Sequence, residues 1–118
     1  MKKNMEVGSC SVNKDEENIK KIEKINDKTV WKMQLFLQVF SDETRIRILI
    51  LLDNCEYTVT ELCKKLALSK SAVSHQLKLL RFAKIVKVRK VGKNSFYSLC
   101  DEHVAEILET TIEHVEEE

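Results

Sequence analysis

The sequence predicts a mainly α-helical domain that carries one β-hairpin. Its 118 residues include no proline and only two glycines, Gly8 and Gly92, which favours long helices and few tight turns. Apolar residues recur every three or four positions through most of the chain, whereas residues 85–99 alternate between apolar and polar with a period of two. A chain of this length has room for one domain with a small core.

The first part of the chain predicts little buried structure. Residues 1–13 read as irregular and residues 14–26 as a weak, highly charged helix, so we assign 1–26 to a flexible N-terminal arm. Residues 29–40 then keep helical spacing on two apolar faces. Two apolar faces predict a helix that is buried on both sides, as at a dimer interface.

Two short helices with the spacing of a helix-turn-helix follow a core helix predicted over 43–52. Asp42 can cap that core helix, and Thr58 with Glu61 forms a capping-box pattern at the start of the next one. After a three-residue connection, Ser69 caps the second short helix. The predicted inward side chains of the three helices are Ile46, Ile48, Leu49 and Leu52, then Val59, Leu62, Cys63 and Leu66, then Val73, Leu77 and Leu80.

Residues 85–99 predict a β-hairpin with a cationic tip. Valines alternate with Lys87 and Arg89 in the first strand, and residues 91–94 have the composition of a turn. Helices, a helix-turn-helix, a hairpin and a last helix follow one another in the order of a winged helix-turn-helix. We expect a homodimer in which 27–118 form the DNA-binding and dimerisation domain.

Charge is divided sharply along the chain. Residues 61–97 contain ten Lys or Arg and one acidic residue, whereas residues 101–118 contain eight acidic residues and no Lys or Arg. A basic middle fits a surface that binds a polyanion, and an acidic end fits one that binds cations. Each region taken alone is also compatible with an ordinary solvated face.

The outer face of the second short helix and the hairpin supply the candidate contacts to double-stranded DNA. Short polar side chains can approach base edges in the major groove, whereas cations contact phosphates. The helix residues predicted to contact bases or phosphates are Lys70, Ser71, Ser74, His75, Gln76 and Lys78. The hairpin residues predicted to contact phosphates or the minor groove are Arg89, Lys90 and Lys93.

The last segment carries side chains of metal-ligand type. Asp101, His103, His114 and Glu117 form the array D-x-H-x10-H-x2-E on an amphipathic helix predicted over 101–118. The two histidines lie about 16 Å apart along such a helix and within about 20° of one face, so the four groups cannot close on one ion within one chain. A second copy packed antiparallel would join the two halves.

Two imidazoles and two carboxylates suit Zn(II) as a regulatory ligand, and Co(II), Ni(II) or Cd(II) are also compatible. The plainer alternative is an acidic amphipathic helix that happens to carry two histidines. Four cysteines, Cys10, Cys55, Cys63 and Cys100, show neither C-x-x-C nor zinc-ribbon spacing. Free thiols are therefore expected.

The segments SDETRIRILILL, LSKSAVSHQLKLLR, IVKVRKVGKNSFYSL and DEHVAEILETTIEHVEE together resemble the ArsR/SmtB family of metal-responsive repressors, from about residue 30 to 117. Among its members, the terminal array is similar to that of zinc sensors with an inter-subunit site on the C-terminal helix. The resemblance implies a winged-helix homodimer that represses when metal-free. Metal binding across the C-terminal helices then weakens operator affinity.

One departure from the family bears on the metal. Relatives that sense Cd(II), Pb(II) or arsenite carry a Cys-x-Cys or similar motif where this chain has Glu56-Tyr57-Thr58-Val59-Thr60. The usual thiolate site is therefore absent. The alternative hypothesis is a repressor that senses soft metals or redox state through Cys10, Cys55 and Cys63, for example Cys10 of a partner arm with Cys55. Cys100, next to Asp101, could supplement the terminal site.

Other function classes fit the sequence less well. A zinc hydrolase needs three protein ligands, an open position and a general base in a pocket, so we do not expect an enzyme. A module that binds a basic partner through its acidic helix would leave the basic middle unexplained. No apolar run of about 20 residues and no signal-peptide core are present, so we expect no membrane association and a cytoplasmic location.

Overall fold

The computed structural model describes residues 11–117 and divides the chain into two compact units, Met1–Met33 and Gln34–Glu118. In the first unit, helix α1 spans Val12–Lys24 and begins at Ser11, whose side chain accepts a hydrogen bond from the Lys14 backbone N–H at 3.1 Å. No residue of α1 is buried. The weak helix predicted over 14–26 therefore forms, whereas the flexibility assigned to the arm stays a prediction, and its first ten residues lie outside the described part.

Helix α2 spans Asp27–Gln38 and crosses from the first unit into the second. A single 3-10 turn, Val39–Ser41, follows it. None of the side chains of α2 is buried in the single chain, and Leu37 is 56% exposed. Burial on both faces, as predicted for this helix, would require a second copy.

The second unit holds the predicted winged helix-turn-helix. Its elements are helices α3 (Glu43–Leu52), α4 (Val59–Leu66), α5 (Lys70–Phe82) and α6 (Glu102–Glu116), with strands β1 (Val86–Val91) and β2 (Asn94–Leu99) between the last two helices. The mainly helical fold with one hairpin is confirmed. Its fully buried side chains are Ile48, Leu49, Leu52, Leu62, Val73, Leu77, Leu80, Ile85 and Val86.

Side-chain caps fix where the helices begin, as predicted. Asp42 accepts from the backbone N–H of Arg45, and Ser69 accepts from that of Ala72. Thr58 and Glu61 form both halves of the capping box at the start of α4. Each cap satisfies a backbone donor that the first helical turn leaves without a partner.

The connection between α4 and α5 contains a residue in an unfavourable conformation. Ala67 lies in the left-handed region, with φ 56° and ψ 45°, and ends α4 there. The Leu68 backbone N–H then donates to the Cys63 carbonyl at 3.1 Å. Glycine usually occupies such a position because a Cβ is disfavoured in this region.

The hairpin has the predicted two-residue turn. Val91 pairs with Asn94 and Val86 with Leu99, and Gly92 takes a φ of +61° in the turn. Tyr57, just before α4, forms an isolated bridge with Tyr97 of β2. This bridge ties the segment in front of the helix-turn-helix to the wing.

Helix α6 packs against the domain through only part of its predicted apolar stripe. Val104 and Leu108 are buried, but Ile107 and Val115 remain 37% and 64% exposed. The stripe predicted from spacing is therefore only partly buried within the single chain.

An acidic pair joins α6 to the end of α3. Asp53 Oδ1 is buried without a hydrogen-bond partner among the described residues. The Asp53 carboxylate raises the pKa of Glu109, by hydrogen bonding to it and by its charge, and Glu113 and Glu106 add smaller contributions. Glu109 is therefore protonated more readily than an ordinary glutamate.

We expect Ala67→Gly to stabilise the domain by about 0.5–1 kcal/mol, because glycine has no Cβ and adopts the left-handed conformation without a steric penalty. The greater conformational entropy of glycine in the unfolded chain offsets part of this gain. Urea unfolding followed by circular dichroism measures the change. Ala83→Gly is the matched control, since Ala83 has a φ of −79° and gains nothing from the exchange. An Ala67→Gly variant less stable than the unmodified protein would contradict the prediction.

We expect Glu109→Gln to stabilise the domain at neutral pH but not in acid. The folded-state pKa of Glu109 is raised, so folding favours its protonated form, and this stabilisation is lost as pH rises through the folded pKa. The variant should therefore exceed the unmodified protein in urea midpoint at pH 7.5. Below the ordinary pKa of a glutamate, about 4.3, the two should converge. Equal midpoints at pH 7.5 would show that the acidic pair does not repel.

Candidate nucleic-acid interface and metal-ligand array

The exposed face of α5 carries most of the predicted DNA-contacting residues. Lys70, Ser71, Ser74, His75 and Lys78 are all exposed. On the opposite side of the helix, a stripe of three buried side chains packs into the core: Val73, Leu77 and Leu80. The structure thus presents these five side chains together on one helix face, as the spacing predicted, and their contact with DNA stays a prediction.

Gln76 differs from the other predicted contacts on α5. It is half-buried, and its side-chain carbonyl Oε1 accepts a hydrogen bond of 3.0 Å from Nη1 of Arg45 on α3. Sequence spacing grouped Gln76 with the other candidate contacts of α5 and gave no sign of Arg45. The two residues are 31 positions apart, so no local pattern could pair them.

In the wing, Arg89 is held by a neighbouring carboxylate. Its guanidinium donates to both carboxylate oxygens of Glu56, at 2.7 and 3.1 Å, and lies over the ring of Phe96. This contact lowers the pKa of Glu56 and raises the pKa of Arg89. The charge of Lys87 lowers the pKa of Glu56 further. Glu56 therefore competes with a phosphate for Arg89.

The two other predicted wing contacts, Lys90 and Lys93, are exposed at the end of the hairpin. Lys93 lies in the turn itself, between the paired residues Val91 and Asn94. An exposed cation at the tip of a hairpin can reach a phosphate, and contact of Lys90 and Lys93 with DNA stays a prediction.

The first two members of the predicted metal-ligand array lie at the start of α6. Asp101 is the N-cap of α6, where its Oδ1 accepts from the Val104 backbone N–H at 3.1 Å. The same oxygen lies 3.8 Å from Nδ1 of His103, whose side chain is 87% exposed. The helix start thus holds the carboxylate and the imidazole close together and open to solvent.

The second half of the array lies at the other end of α6. His114 is in the last turn of the helix and Glu117 is its C-cap residue, and both are exposed. The helix ends at Glu116, two residues before the predicted end. Within residues 11–117 of one chain, no three potential ligands come together in a group that could hold a metal ion. A complete site from these four residues therefore needs a second copy.

Three cysteines are free, and two of them share a cavity. Cys55 and Cys100 line an open cavity of about 540 Å³, which also reaches Asp101. Cys55 raises the pKa of the neighbouring Tyr57 hydroxyl. Cys63 is half-buried against the core, as predicted from its place in the α4 stripe, and Cys10 lies outside the described residues. The sequence gave no reason to group Cys55 with Cys100.

In the part of the chain that the structure describes, no helix is long and apolar enough to cross a membrane.

Comparison with known proteins places the chain in a family. The family model "Bacterial regulatory protein, arsR family" matches residues 42–88. A Synechocystis protein named as a homologue of the transcriptional repressor SmtB is 38% identical over 86 residues, covering 73% of this chain and 65% of that protein. The transcriptional activator HlyU of Vibrio cholerae is 35% identical over 92 residues, covering 78% of this chain and 82% of HlyU.

The fold agrees with a solved structure from Mycobacterium bovis, a homodimeric winged helix-turn-helix DNA-binding domain. The TM-score is 0.74 at 20% identity, over 79% of this chain and 89% of that one, so this likeness concerns the fold alone. The chain spans about two thirds of the length of the first of its curated relatives. These relatives are transcriptional regulators and not enzymes. The chain belongs to the ArsR family of bacterial regulatory proteins and carries its winged helix-turn-helix DNA-binding fold.

Proposed function

We propose that this protein is a metal-sensing transcriptional repressor that binds operator DNA as a metal-free homodimer and is released by Zn(II). The observation that carries the proposal is the face of α6 next to its buried side. Exposed Ile107 lies there, on the same helix face as the exposed side chains of His103 and His114. An exposed apolar side chain between two imidazoles suits a helix that packs against its own copy around a metal.

The donor set fits Zn(II). Asp101 and His103 of one protomer, with His114 and Glu117 of its partner, give two nitrogens and two oxygens, a four-ligand set of the kind that zinc accepts. Zinc bound there would link the two α6 helices. The three-residue spacing of His114 and Glu117 is one that lets two side chains on a helix bind together.

Release from DNA follows from linkage. A ligand shifts a conformational equilibrium only if it binds one state better than the other. In a dimeric winged helix, both copies of α5 must meet their half-sites at a fixed separation. Zinc that links the α6 helices would restrain the relative orientation of the protomers. In the proposed mechanism, this orientation does not give the two copies of α5 the separation that the half-sites require, so the zinc-bound state binds the operator poorly. A coupling of about 1–3 kcal/mol is typical of such systems.

A second candidate function is sensing of soft metals or of redox state through cysteines. The observation that favours it is the shared cavity of Cys55 and Cys100, which reaches the proposed zinc half-site at Asp101. The cysteines named from the sequence, Cys10, Cys55 and Cys63, are the alternative set. Either set of cysteines would bind a metal through thiolates, whereas the proposed zinc site contains no thiolate ligand.

Titration of the reduced protein with Co(II) separates the two candidates. Visible bands of tetrahedral strength at about one ion per subunit, without a near-ultraviolet thiolate band, are expected for the proposed site. An intense thiolate-to-metal band would contradict it and favour the cysteines. Substitution of all four cysteines by serine should leave the Co(II) spectrum unchanged.

We expect His114→Asn to abolish release from the operator by zinc while leaving operator affinity unchanged, because the residue belongs to the metal array and lies on α6, not on α5. Fluorescence anisotropy with labelled operator, with and without Zn(II), measures both quantities. The matched control is His75→Asn, which exchanges the same residue type on α5 and should weaken DNA binding. Full release of the His114→Asn variant by zinc would rule out the proposed site.

We expect Lys90→Ala and Lys93→Ala each to weaken binding to operator and to unrelated DNA by the same factor. Each substitution would remove one phosphate contact per protomer, so the slope of log affinity against log salt should fall by roughly 1.8 per dimer. Arg89→Ala should change the slope less, because Glu56 already neutralises that guanidinium. A larger change for Arg89→Ala than for Lys93→Ala would contradict this order.

A further inference from the structure

Phe82, the last residue of α5, carries the most exposed large apolar side chain that the structure describes, with an exposed fraction of 83%. Aromatic side chains have more apolar surface to bury than most others, and burial of that surface is favourable. The fold of the single chain leaves almost all of it in water at this position. The ring is therefore a candidate contact for a partner of the second helix of the helix-turn-helix.

Helix geometry places Phe82 on the face of α5 that carries the predicted DNA contacts. It follows Lys78 by four positions, His75 by seven and Ser71 by eleven. At about 100° per residue, all three lie within about 40° of its direction. It follows the buried Val73 by nine positions, or two and a half turns, so it points away from the core. Phe82 therefore extends the outer face of α5 by about 10 Å beyond His75.

The surroundings of Phe82 are cationic. Lys78 lies one turn before it, Arg81 directly before it and Lys84 two positions after it, and all three are exposed. Leu79, one turn before Phe82 and 38% exposed, adds a second apolar side chain. Helix α5 contains no acidic residue. Packing this surface against its own copy would bring like charges together, whereas a polyanion is attracted to it.

Double-stranded DNA presents an apolar group in its major groove. This group is the C5 methyl of thymine, and phenylalanine is among the side chains that contact it. Phosphates flank every base, so the cations beside the ring would have partners of their own. DNA therefore offers both the apolar and the anionic groups that match this end of α5.

We propose that Phe82 is a specificity-determining residue that selects a thymine in each operator half-site by packing against its C5 methyl. The inference rests on DNA binding through α5, as in the proposed function, and adds one base to what that helix recognises. The contact removes a methyl and a ring from water and needs no hydrogen bond. Because cytosine has no such methyl, Phe82 should favour thymine over cytosine at this position.

Replacement of thymine by uracil tests the contact, because uracil lacks only the C5 methyl. The probe is a duplex that the unmodified metal-free protein selects from a randomised library, and each thymine of one half-site is replaced in turn. One replacement should weaken binding about fourfold, the effect of leaving one methyl unburied at about 0.8 kcal/mol. Fluorescence anisotropy measures the change. A selected duplex in which no thymine methyl affects binding would overturn the inference.

A cycle that combines Phe82→Ala with uracil assigns the methyl to this residue. The variant should bind the selected duplex about fifteenfold more weakly, because a dimer loses one contact in each half-site, and the uracil replacement should then have no further effect. Ile22→Ala is the matched control, since it removes a side chain of similar exposure, 75%, from α1. It should keep full affinity and the full effect of uracil. A fourfold uracil effect that persists in Phe82→Ala would overturn the inference.

Stability and dimerisation separate a DNA contact from a structural role. Because Phe82 is exposed, Phe82→Ala should leave the urea midpoint unchanged, and sedimentation should give the same subunit dissociation constant as for the unmodified protein. A weaker dimer that loses affinity equally for the selected duplex and for unrelated DNA would show that Phe82 contacts a second copy. That result would overturn the inference.

Failure of this inference is distinguishable from failure of the proposed function. A protein that binds its selected duplex, releases it with Zn(II) and is insensitive to every uracil replacement would retain the proposed function and lose the inference. If the unmodified protein selected no duplex at all, both would be overturned.

Discussion

Burial of one stripe of α5 is the constraint on which the DNA-facing surface depends. Val73, Leu77 and Leu80 are essentially inaccessible to solvent, and turning the helix about its axis would expose them at a cost of about 1.5–3 kcal/mol for each side chain. The outer face is therefore fixed without any interaction of its own. Because apolar packing sets the orientation of the helix, stability places little demand on the serines, the histidine and the lysines of its polar face, which are the residues predicted to contact DNA.

The features predicted correctly are those governed by local rules. Helix starts at Asp42, Thr58 and Ser69 follow from capping by residues three positions away, and the wing follows from alternation about the turn at Gly92. The left-handed turn at Ala67 was missed because alanine, unlike glycine, gives no sign of that conformation. The position of Ala67 in the short connection between α4 and α5 was the only feature of the sequence that could have indicated a left-handed residue.

Contacts between distant residues could not be predicted from the sequence. Arg45 with Gln76 and Arg89 with Glu56 join residues more than 30 positions apart, and each changes the meaning of a residue that spacing had assigned to DNA. The places of the four members of the candidate metal array at the two ends of α6 follow from helix geometry, whereas their role as ligands stays a prediction. Its completion depends on a second copy, which lies beyond what the folding of one chain determines.

Helix α6 is divided between two demands. Val104 and Leu108 attach it to the winged domain, whereas Ile107 on the neighbouring part of the helix stays exposed. In the proposed function, α6 transmits a signal between protomers, so it must be held firmly enough to move the domain with it and loosely enough to shift when a ligand binds. Its narrow buried face suits both demands. A population shift from 1:99 to 99:1 requires about 5.5 kcal/mol of differential binding, whereas a coupling of about 1–3 kcal/mol gives a partial switch.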